Sequence, residues 1–526
     1  MSEDELEDVI KKTKELQELQ ATEDPPEARA TIPALELGDL KREVTEYPIA
    51  VSENENDSGI SVIRHELGST SGIAYVNLGV DLSGLDVEDI ALLPLFARVM
   101  METGAGEYDQ VGLSRRIGTH TGGISVSLMT TAVHPDGKDE SEILDGNYLQ
   151  TKLMVKGKAT SDKMTELFDL MKLILTDARF DSQTRVIEML KESRSRKESS
   201  IIGGGHSAVN TRMKARYRVG GYIDEILGGI SQLDTLKELL TQAEEDWPTL
   251  LARLEKIRNV ILKSDTCRSG MFLDVTGDSA VLEKIQPSVD KFLEELPGDA
   301  NGVKIQNFYK EEHPWVAPIK SLMTELAPVE DEGFVVPTQV SYVGKAGLVF
   351  EEGETATGSA QVVARFLRTG YLWDYVRVMG GAYGGFCTFS PYSGFFSYLS
   401  YRDPNLSKTL DVYDGAADAI IAAAEQLKDD PSALSQAIIG TIGDMDGALS
   451  PDQKGYTALQ RYLINESAEY RQNFRNQILD TTAEDFKAFG ERLKNLKQPS
   501  VGVVSSKAAF DAAKEDGKEM KLKTIL

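Results

Sequence analysis

Alternation of apolar and polar residues predicts several strands in the first half of the chain. Residues 59–67 and 73–82 both alternate, and in the second segment Ala74, Val76 and Leu78 share one face. Residues 87–104 instead carry apolar side chains at helical spacing and end at a glycine, which is typical of a helix terminus. Further strands are predicted over 122–131, 149–157 and 271–278, and further helices over 160–177, 182–200, 206–219, 235–263 and 280–295.

The second half of the chain shows the same mixture of strands and helices. A strand is predicted over 334–344 and a hairpin over 386–401, with the turn residues SPYSG at its tip. The last strand is predicted over 500–506. Helices are predicted over 357–369, 371–379, 404–427, 431–441, 451–465, 467–479 and 483–495. Runs of strands followed by runs of helices predict an α+β fold, not a doubly wound parallel sheet.

The amino-terminal segment differs from the rest. Leu6, Val9, Ile10, Leu16 and Leu19 fall near helical spacing, so residues 3–20 are predicted to form an amphipathic helix that Pro25 and Pro26 end. Residues 22–58 are rich in Pro, Glu and Asn and are predicted to be extended. A helix with no preceding domain suggests a segment cut from a longer protein.

An internal repeat divides the chain. Arg115 begins the segment RRIGTHTGGISV, and Arg377, 262 residues later, begins RVMGGAYGGFCT; both fit R-x-x-G-x-x-x-G-G before a strand. A helix and an alternating strand precede each copy. We therefore expect two similarly folded domains. The predicted division is an initial helix and connector over 1–44, a domain over 45–296, a linker over 297–329 and a domain over 330–526.

Composition excludes several classes of protein. Apolar residues make up 41% and charged residues 27%, as in ordinary globular proteins, and no apolar run approaches the roughly 18 residues that span a bilayer. The net charge of −27 argues against nucleic-acid binding but permits basic partners; a charge kept for solubility is the simpler interpretation. The two distant cysteines, Cys267 and Cys387, predict a reducing compartment. The acidic start of the chain resembles neither a signal nor a transit peptide.

Familiar catalytic motifs are missing. The five histidines, at 65, 120, 134, 206 and 313, include no HExxH or HxxEH pair, so the sequence predicts no metal site in this chain. It also lacks a GxSxG elbow and a GxxxxGK[ST] phosphate loop. Residues 201–210, IIGGGHSAVN, are interpreted either as an anion-binding loop before a helix or, preferably, as a flexible connector.

The strongest candidate site surrounds the second copy of the repeat. Arg377 supplies a planar fork of donors and Tyr383 a hydroxyl, and four glycines around them let the backbone bend and approach a ligand. Together these side chains can donate to a carbonyl or a developing oxyanion. The alternative is that Arg377 caps a helix end and Tyr383 packs in the core.

Long segments resemble one family. The stretches VPTQVSYVGKAG, YLWDYVRVMGGAYGGFCTFSPYSGFFSYLSYRDPNLSKTLDVYDG and AIIGTIGDMD, together with HSAVNTRMKARY and RRIGTHTGGISV upstream, closely resemble the carboxy-terminal half of presequence proteases. These are organellar zinc peptidases of the pitrilysin type. The resemblance implies two similar pitrilysin-type domains, each a mixed or antiparallel sheet packed with helices. It also implies that they form half of a four-domain clamshell that closes around an unfolded peptide.

The resemblance also implies functional residues. Arg377 and Tyr383 would reach across the chamber to the scissile peptide, and Gly380, Gly381 and Gly384 would lie against the substrate. Arg115 would not share the role, because Thr121 stands where the second copy has Tyr383. Zinc would be held by ligands outside this chain, on an amino-terminal half supplied in cis or in trans, so the chain alone is expected to be inactive.

The family further implies partners and location. Substrates would be short unstructured peptides, including basic targeting peptides, in the mitochondrial matrix or plastid stroma; no nucleic acid and no membrane span is expected. The alternative hypothesis is a non-catalytic peptide-binding or scaffold subunit of the pitrilysin type.

Overall fold

The computed structural model describes residues 2–22, 25–29, 31–144, 146–325 and 331–526, and it divides into two compact units, residues 1–41 and 42–526. The first unit contains helix α1 (Glu3–Ala21), which begins with a capping box between Ser2 and Glu5. The predicted amphipathic helix is therefore confirmed. Its apolar side chains are exposed, namely Leu6, Val9, Ile10, Leu16 and Leu19.

The strands and the other helices follow in chain order. The strands are β1 (Ala50–Ser52), β2 (Ser61–Glu66), β3 (Ile73–Asp81), β4 (Ile124–Ala132), β5 (Leu149–Thr160), β6 (Phe272–Gly277), β7 (Glu332–Val335), β8 (Tyr342–Leu348), β9 (Gly384–Phe389), β10 (Phe395–Tyr401), β11 (Lys497–Ser505) and β12 (Lys521–Thr524). The helices are α2 (Pro26–Arg29), α3 (Val87–Ile90), α4 (Leu93–Glu102), α5 (Gln110–His120), α6 (Met164–Asp177), α7 (Gln183–Lys214), α8 (Val219–Gly228), α9 (Ser231–Glu245), α10 (Trp247–Ile261), α11 (Ser279–Glu295), α12 (Val316–Glu325), α13 (Ser359–Thr369), α14 (Ser407–Asp429), α15 (Ser432–Met445), α16 (Pro451–Leu463), α17 (Ala468–Leu479), α18 (Ala483–Lys494) and α19 (Lys507–Glu515). No helix among the described residues has both the length and the apolar character needed to cross a bilayer.

Two mixed sheets organise the second unit, and they share a topology. Among the described residues the first sheet has the strand order β1-β2-β6-β3-β5-β4 and the second has β12-β7-β11-β8-β10-β9. The parallel pair β2/β6 corresponds to the parallel pair β7/β11, and each is followed by antiparallel neighbours to the far edge. The structure thus confirms the α+β class and the internal repeat, whose two copies lead into the matching edge strands β4 and β9.

Each sheet borrows a helix from the other half of the chain. Helix α7, which follows the first four strands of the first sheet, lays Val209 and Met213 against Tyr342 and Ala346 of the second sheet. Helix α16, from the second half, lays Leu459 and Leu463 on Ile63, Met154 and Phe272 of the first sheet. The hydrophobic face of each sheet is therefore completed by residues distant in sequence.

The segment predicted as a linker contributes to the first core. Trp315 is 1% exposed, and its indole N–H donates to the Leu85 carbonyl at 2.7 Å. Val316 and Ile319 of α12 are also buried in this core. A hydrogen-bonded indole in an apolar environment anchors the segment firmly, so the region between the sheets is packed, and the predicted domain limits stay predictions.

The glycine-rich stretch at 201–210 is neither a loop nor a connector, and that interpretation is wrong. Helix α7 runs through it with one local distortion at Gly204. A Cβ on Gly205 would lie 2.5 Å from the Tyr342 ring, so glycine lets α7 approach β8 closely. The predicted helix over 235–263 is likewise two helices, α9 and α10, which break at Asp246 before Pro248.

His313 is buried beside the same core in its neutral form. Its Nδ1 accepts the Trp315 backbone N–H at 3.2 Å, so its Nε2 carries the proton toward Thr151 Oγ1 at 3.0 Å. Burial, opposed by the charge of Asp81, lowers the pKa of His313 to about 4. The imidazole is a structural hydrogen-bonding group in this position.

We expect the His313 environment to make the protein less stable in mild acid. The folded-state pKa lies below the unfolded value, so its contribution is complete above about pH 6.5 and is lost as the pH falls toward 4. Between pH 7.5 and pH 5 the loss is about 2 kcal/mol. Urea unfolding across this range should show a shallower pH dependence in His313→Gln than in the wild type; equal slopes would contradict the prediction.

Candidate functional site

The segment between α13 and β9 forms an unusual turn. Residues Trp373–Val378 form a π-helix, in which the Met379 N–H donates to the Asp374 carbonyl at 2.8 Å. The chain then tightens, since the Ala382 N–H returns to the Val376 carbonyl at 3.1 Å. The Asn405 side chain donates to the Gly380 carbonyl at 2.6 Å and fixes the turn from outside. Single π-turns are frequent at functional sites.

Arg377 is held by an aromatic ring. Its guanidinium carbon lies 3.9 Å from the centre of the Trp373 ring, a cation–π arrangement. In the described part of the chain Arg377 forms no ion pair, and its side chain is half-buried. The stacked guanidinium is therefore positioned while its N–H donors are left for another group.

Tyr383 projects from the start of β9. Its side chain is 68% exposed, so the alternative that it packs in the core is wrong. Its backbone N–H donates to the Tyr401 carbonyl at 3.0 Å, and its ring meets the Tyr401 ring edge-on at 5.9 Å. The His206 ring of α7 lies 4.9 Å from the same Tyr401 ring. The phenol is thus anchored at its base and free at its hydroxyl end.

An exposed apolar patch surrounds these two side chains, and sequence analysis missed it. Five large side chains of this turn are between 43% and 68% exposed: Trp373, Tyr375, Val378, Met379 and Tyr383. Their clustering within eleven residues was the available signal, but a helical interpretation of 371–379 hides it. A contiguous exposed apolar patch on a soluble protein usually marks an interaction surface.

The three predicted substrate-binding glycines differ in what they do. A Cβ on Gly380 would lie 2.5 Å from the Val376 carbonyl oxygen, and Gly381 has φ of +77°, so both are required by the turn itself. A Cβ on Gly384 would meet its nearest neighbour at 3.4 Å, an ordinary contact. Gly380 and Gly381 therefore shape the site, and Gly384 is the one with room beside it.

We expect alanine substitutions to separate these roles. Gly380→Ala and Gly381→Ala should each lower the free energy of unfolding by about 1 kcal/mol or more, because the first clashes with backbone and the second strains φ. Gly384→Ala should unfold like the wild type and serves as the matched control. Denaturant titration of the three variants checks this, and a loss in Gly384→Ala equal to the others would contradict it.

The first copy of the repeat is built differently. Arg115 lies on the ordinary α-helix α5 and is exposed, and Thr121 ends that helix by donating to the Ile117 carbonyl. A Cβ on Gly122 would contact Lys158 of β5. The two copies thus occupy matching places in the two sheets, but only the second has the π-turn and the exposed tyrosine.

The histidines do not form a metal centre. His65 is bonded to Asp274, His313 to Thr151, and His134 lies between the rings of Tyr392 and Tyr470. Among the described residues, no three His, Cys, Asp or Glu side chains converge as metal ligands would. The residues present therefore do not fit a zinc ion.

Comparison with known proteins gives the family. The model of the domain associated with subfamily C of the M16 peptidases matches residues 1–239, and "PreP C-terminal domain" matches residues 331–507. Presequence protease 1, chloroplastic/mitochondrial, from Arabidopsis thaliana is 38% identical over 517 residues, which are 98% of this chain and 44% of that protein. Protein HypA from Clostridium perfringens is 28% identical over 93% of this chain and 46% of its own length.

Solved structures agree on the fold. The crystal structure of pitrilysin superposes with a TM-score of 0.57 at 12% identity, covering 92% of this chain and 47% of pitrilysin. The chain thus spans about half the length of the curated relatives it matches. It belongs to the presequence protease family of pitrilysin-type peptidases and corresponds to the carboxy-terminal half of its members.

Proposed function

We propose that this chain supplies the carboxy-terminal half of the chamber of a zinc metallopeptidase that degrades short unstructured peptides, among them basic targeting peptides. The observation that supports this most directly is the pair formed by a stacked Arg377, which has no carboxylate partner in the described part of the chain, and an exposed Tyr383 on one rigid turn. The surrounding apolar patch offers contact to peptide side chains. The net charge of −27 suits basic substrates.

In this proposal Arg377 and Tyr383 donate hydrogen bonds to the scissile carbonyl as it gains negative charge. Both are donors held in place before the reaction, so little reorganisation is needed when charge develops. The Trp373 ring orients the guanidinium, and Gly380 and Gly381 bring the backbone into the tight turn that presents Tyr383. The glycines act on the substrate through this shape, and Gly384 lies beside the bound peptide.

Zinc belongs to the other half in this proposal. The peptidase family depends on zinc, which supplies a Lewis acid and an activated water when bound. Because the described residues do not fit a zinc site, the ligands lie on an amino-terminal half that is joined to this chain or provided separately. Residues 45–296 and 330–526 are then the third and fourth domains of the clamshell.

A reconstitution experiment tests the proposal. The purified chain should not cleave an unstructured basic peptide alone, and it should support cleavage when mixed with the zinc-bearing half of a presequence protease. The activity should vanish with a chelator and return with zinc. Chelator-resistant cleavage by the chain alone, or no activity in the mixture despite complex formation, would contradict it.

A second candidate function is a non-catalytic peptide-binding or scaffold subunit. The exposed apolar patch around Tyr383 favours it, because such a surface suits binding without chemistry. Peptide binding that is the same in the wild type and in the Arg377→Ala/Tyr383→Phe variant, without activity in any mixture, would support it. The relatives named as mitochondrial or chloroplastic stand beside a bacterial one; we infer a mitochondrial or plastid location, which imaging of the tagged full-length protein tests.

A further inference from the structure

The outer edge of β4 lies open along a groove. Strand β4 ends the first sheet, and no strand among the described residues pairs with its outer side. Helices α4 and α8 form the opposite wall of a groove of about 610 Å³ that follows Ile124–Leu128. Soluble proteins usually cover such an edge or block it with charge, proline or a bulge, so an open edge beside a groove calls for a partner.

The backbone of β4 presents a regular row of hydrogen-bonding groups to this groove. The Val133 N–H donates to Tyr148, and Gly123 accepts from Lys158, so the odd-numbered residues bond inward to β5. In an antiparallel pair the alternate residues point their N–H and C=O groups the other way. The outward residues are therefore Ile124, Val126, Leu128, Thr130 and Ala132.

The walls of the groove combine apolar and acidic groups. Pro94, Ala97 and Met101 of α4 and Leu227 of α8 give apolar surface. Two carboxylates, Glu102 and Asp224, also line it. Glu102 is held by Arg98 and Arg185 at 2.8 Å, whereas Asp224 is exposed, so the available negative charge is that of Asp224.

A second cavity continues the groove toward the candidate site. It measures about 260 Å³, shares Asp224 with the first, and adjoins Thr130–Ala132 at the end of β4. Its far wall is the tip of the β9–β10 hairpin, including Ser390 and Tyr392, and its basic residues are Lys214 and Arg218. Strand β9 begins directly after Tyr383 and ends at this tip, about 20 Å away along an extended strand.

We propose that an extended stretch of an unstructured peptide binds this groove by adding as a strand to the outer edge of β4. The identity of this occupant rests on the proposed function. Charge complementarity supports it, because Asp224 matches basic side chains and Lys214 with Arg218 matches a peptide carboxylate at the far end. The groove holds part of the substrate while another part lies at Arg377 and Tyr383.

Backbone pairing is suited to substrates of varied sequence. Main-chain hydrogen bonds supply affinity whatever the side chains, and alternate side chains enter the groove or face solvent. The nine residues of β4 span about 30 Å, which matches an extended segment of about nine peptide residues. A site of this kind selects for an unfolded chain over a folded one, because only an unfolded chain can present a free edge.

The test measures binding of a fluorescein-labelled, basic, unstructured twelve-residue peptide to the full 526-residue chain by anisotropy. Thr130→Pro removes an outward N–H without breaking a bond to β5 and should weaken binding about tenfold, whereas Thr130→Val should bind like the wild type. Gly228 lines the groove with nothing within 4 Å of an added Cβ, so Gly228→Tyr should obstruct it. Gly443→Tyr, on α15 with equally open space, is the matched control.

Two further measurements keep the test decisive. Peptides N-methylated at alternate residues leave the protein untouched, and methylation in one phase should weaken binding about tenfold while the other phase has little effect. Asp224→Asn should reduce the preference for the basic peptide over its glutamine analogue.

Equal binding by wild type, Thr130→Pro and Gly228→Tyr, or no binding at all, would overturn the groove. So would a dimer of the chain that Thr130→Pro dissociates, since a second copy would then occupy the edge. Zinc-dependent cleavage in the reconstituted mixture is scored separately, so loss of that activity with normal groove binding would refute the proposed function alone.

Discussion

Arg377→Ala is expected to lower kcat of the reconstituted enzyme about 10²–10³-fold. The guanidinium is stacked at 3.9 Å on Trp373 and pairs with no carboxylate in the described part of the chain, so its donors are committed to a group that arrives with the substrate. A donor that acts on developing charge affects kcat more than KM. Single-turnover cleavage of a fluorogenic peptide, at saturating zinc-bearing half, measures the effect.

The repeat provides the matched control for this prediction. Arg115→Ala removes an arginine from the corresponding place in the first sheet, and it should leave kcat unchanged, because α5 is an ordinary helix without the exposed tyrosine. Tyr383→Phe should lower kcat in the same way as Arg377→Ala, and its unfolding should match the wild type since the hydroxyl is exposed. Equal activity of Arg377→Ala and Arg115→Ala would refute the assignment.

The largest expected loss of stability comes from Asp274→Ala. Asp274 and His65 are both fully buried; the His65 Nε2 lies 2.7 Å from Asp274 Oδ1, and its Nδ1 lies 2.9 Å from the Pro48 carbonyl oxygen. Asn77 donates to the other carboxylate oxygen at 2.6 Å. Removing the carboxylate leaves two buried donors without an acceptor, which should cost about 3–5 kcal/mol of unfolding free energy.

The pH dependence of this loss identifies its origin. Burial lowers the pKa of His65, but the contact with Asp274 outweighs it, and the net pKa is raised. The pair therefore stabilises the fold fully below about pH 6.5 and less as the pH rises through the raised value. The difference between wild type and Asp274→Ala in urea unfolding should shrink in the same direction. Asp418→Ala, which breaks an exposed pair with Lys494, should leave unfolding nearly unchanged, and an equal loss in both variants would contradict the argument.

Local patterns in the sequence carried much of the fold. Alternation in 73–82 and the glycine at 104 predicted β3 and the end of α4 to within a few residues, because strands and helix ends depend on neighbouring side chains. The repeat predicted two sheets of one topology. The glycines at 203–205 misled, since glycine usually marks a loop, and the reason for Gly205 is the distant Tyr342 ring.

The candidate site was predicted only in part. Arg377 and Tyr383 were found from the repeat and the family resemblance, but the stacking on Trp373 and the exposed patch depend on a π-turn that no periodicity predicts. The open edge of β4 was also invisible, because the sequence 122–131 predicts a strand without showing on which side it lacks a neighbour.

The exchange of helices between the two sheets has a consequence for how this half can evolve. Because α7 covers the second sheet and α16 covers the first, a gene fragment that encodes one sheet alone would leave a large apolar surface without its lid. Duplication created two copies of one architecture, and the crossed helices then joined them into a single heritable unit. Recombination at the boundary between the copies is therefore penalised, and the pair is transmitted as one module.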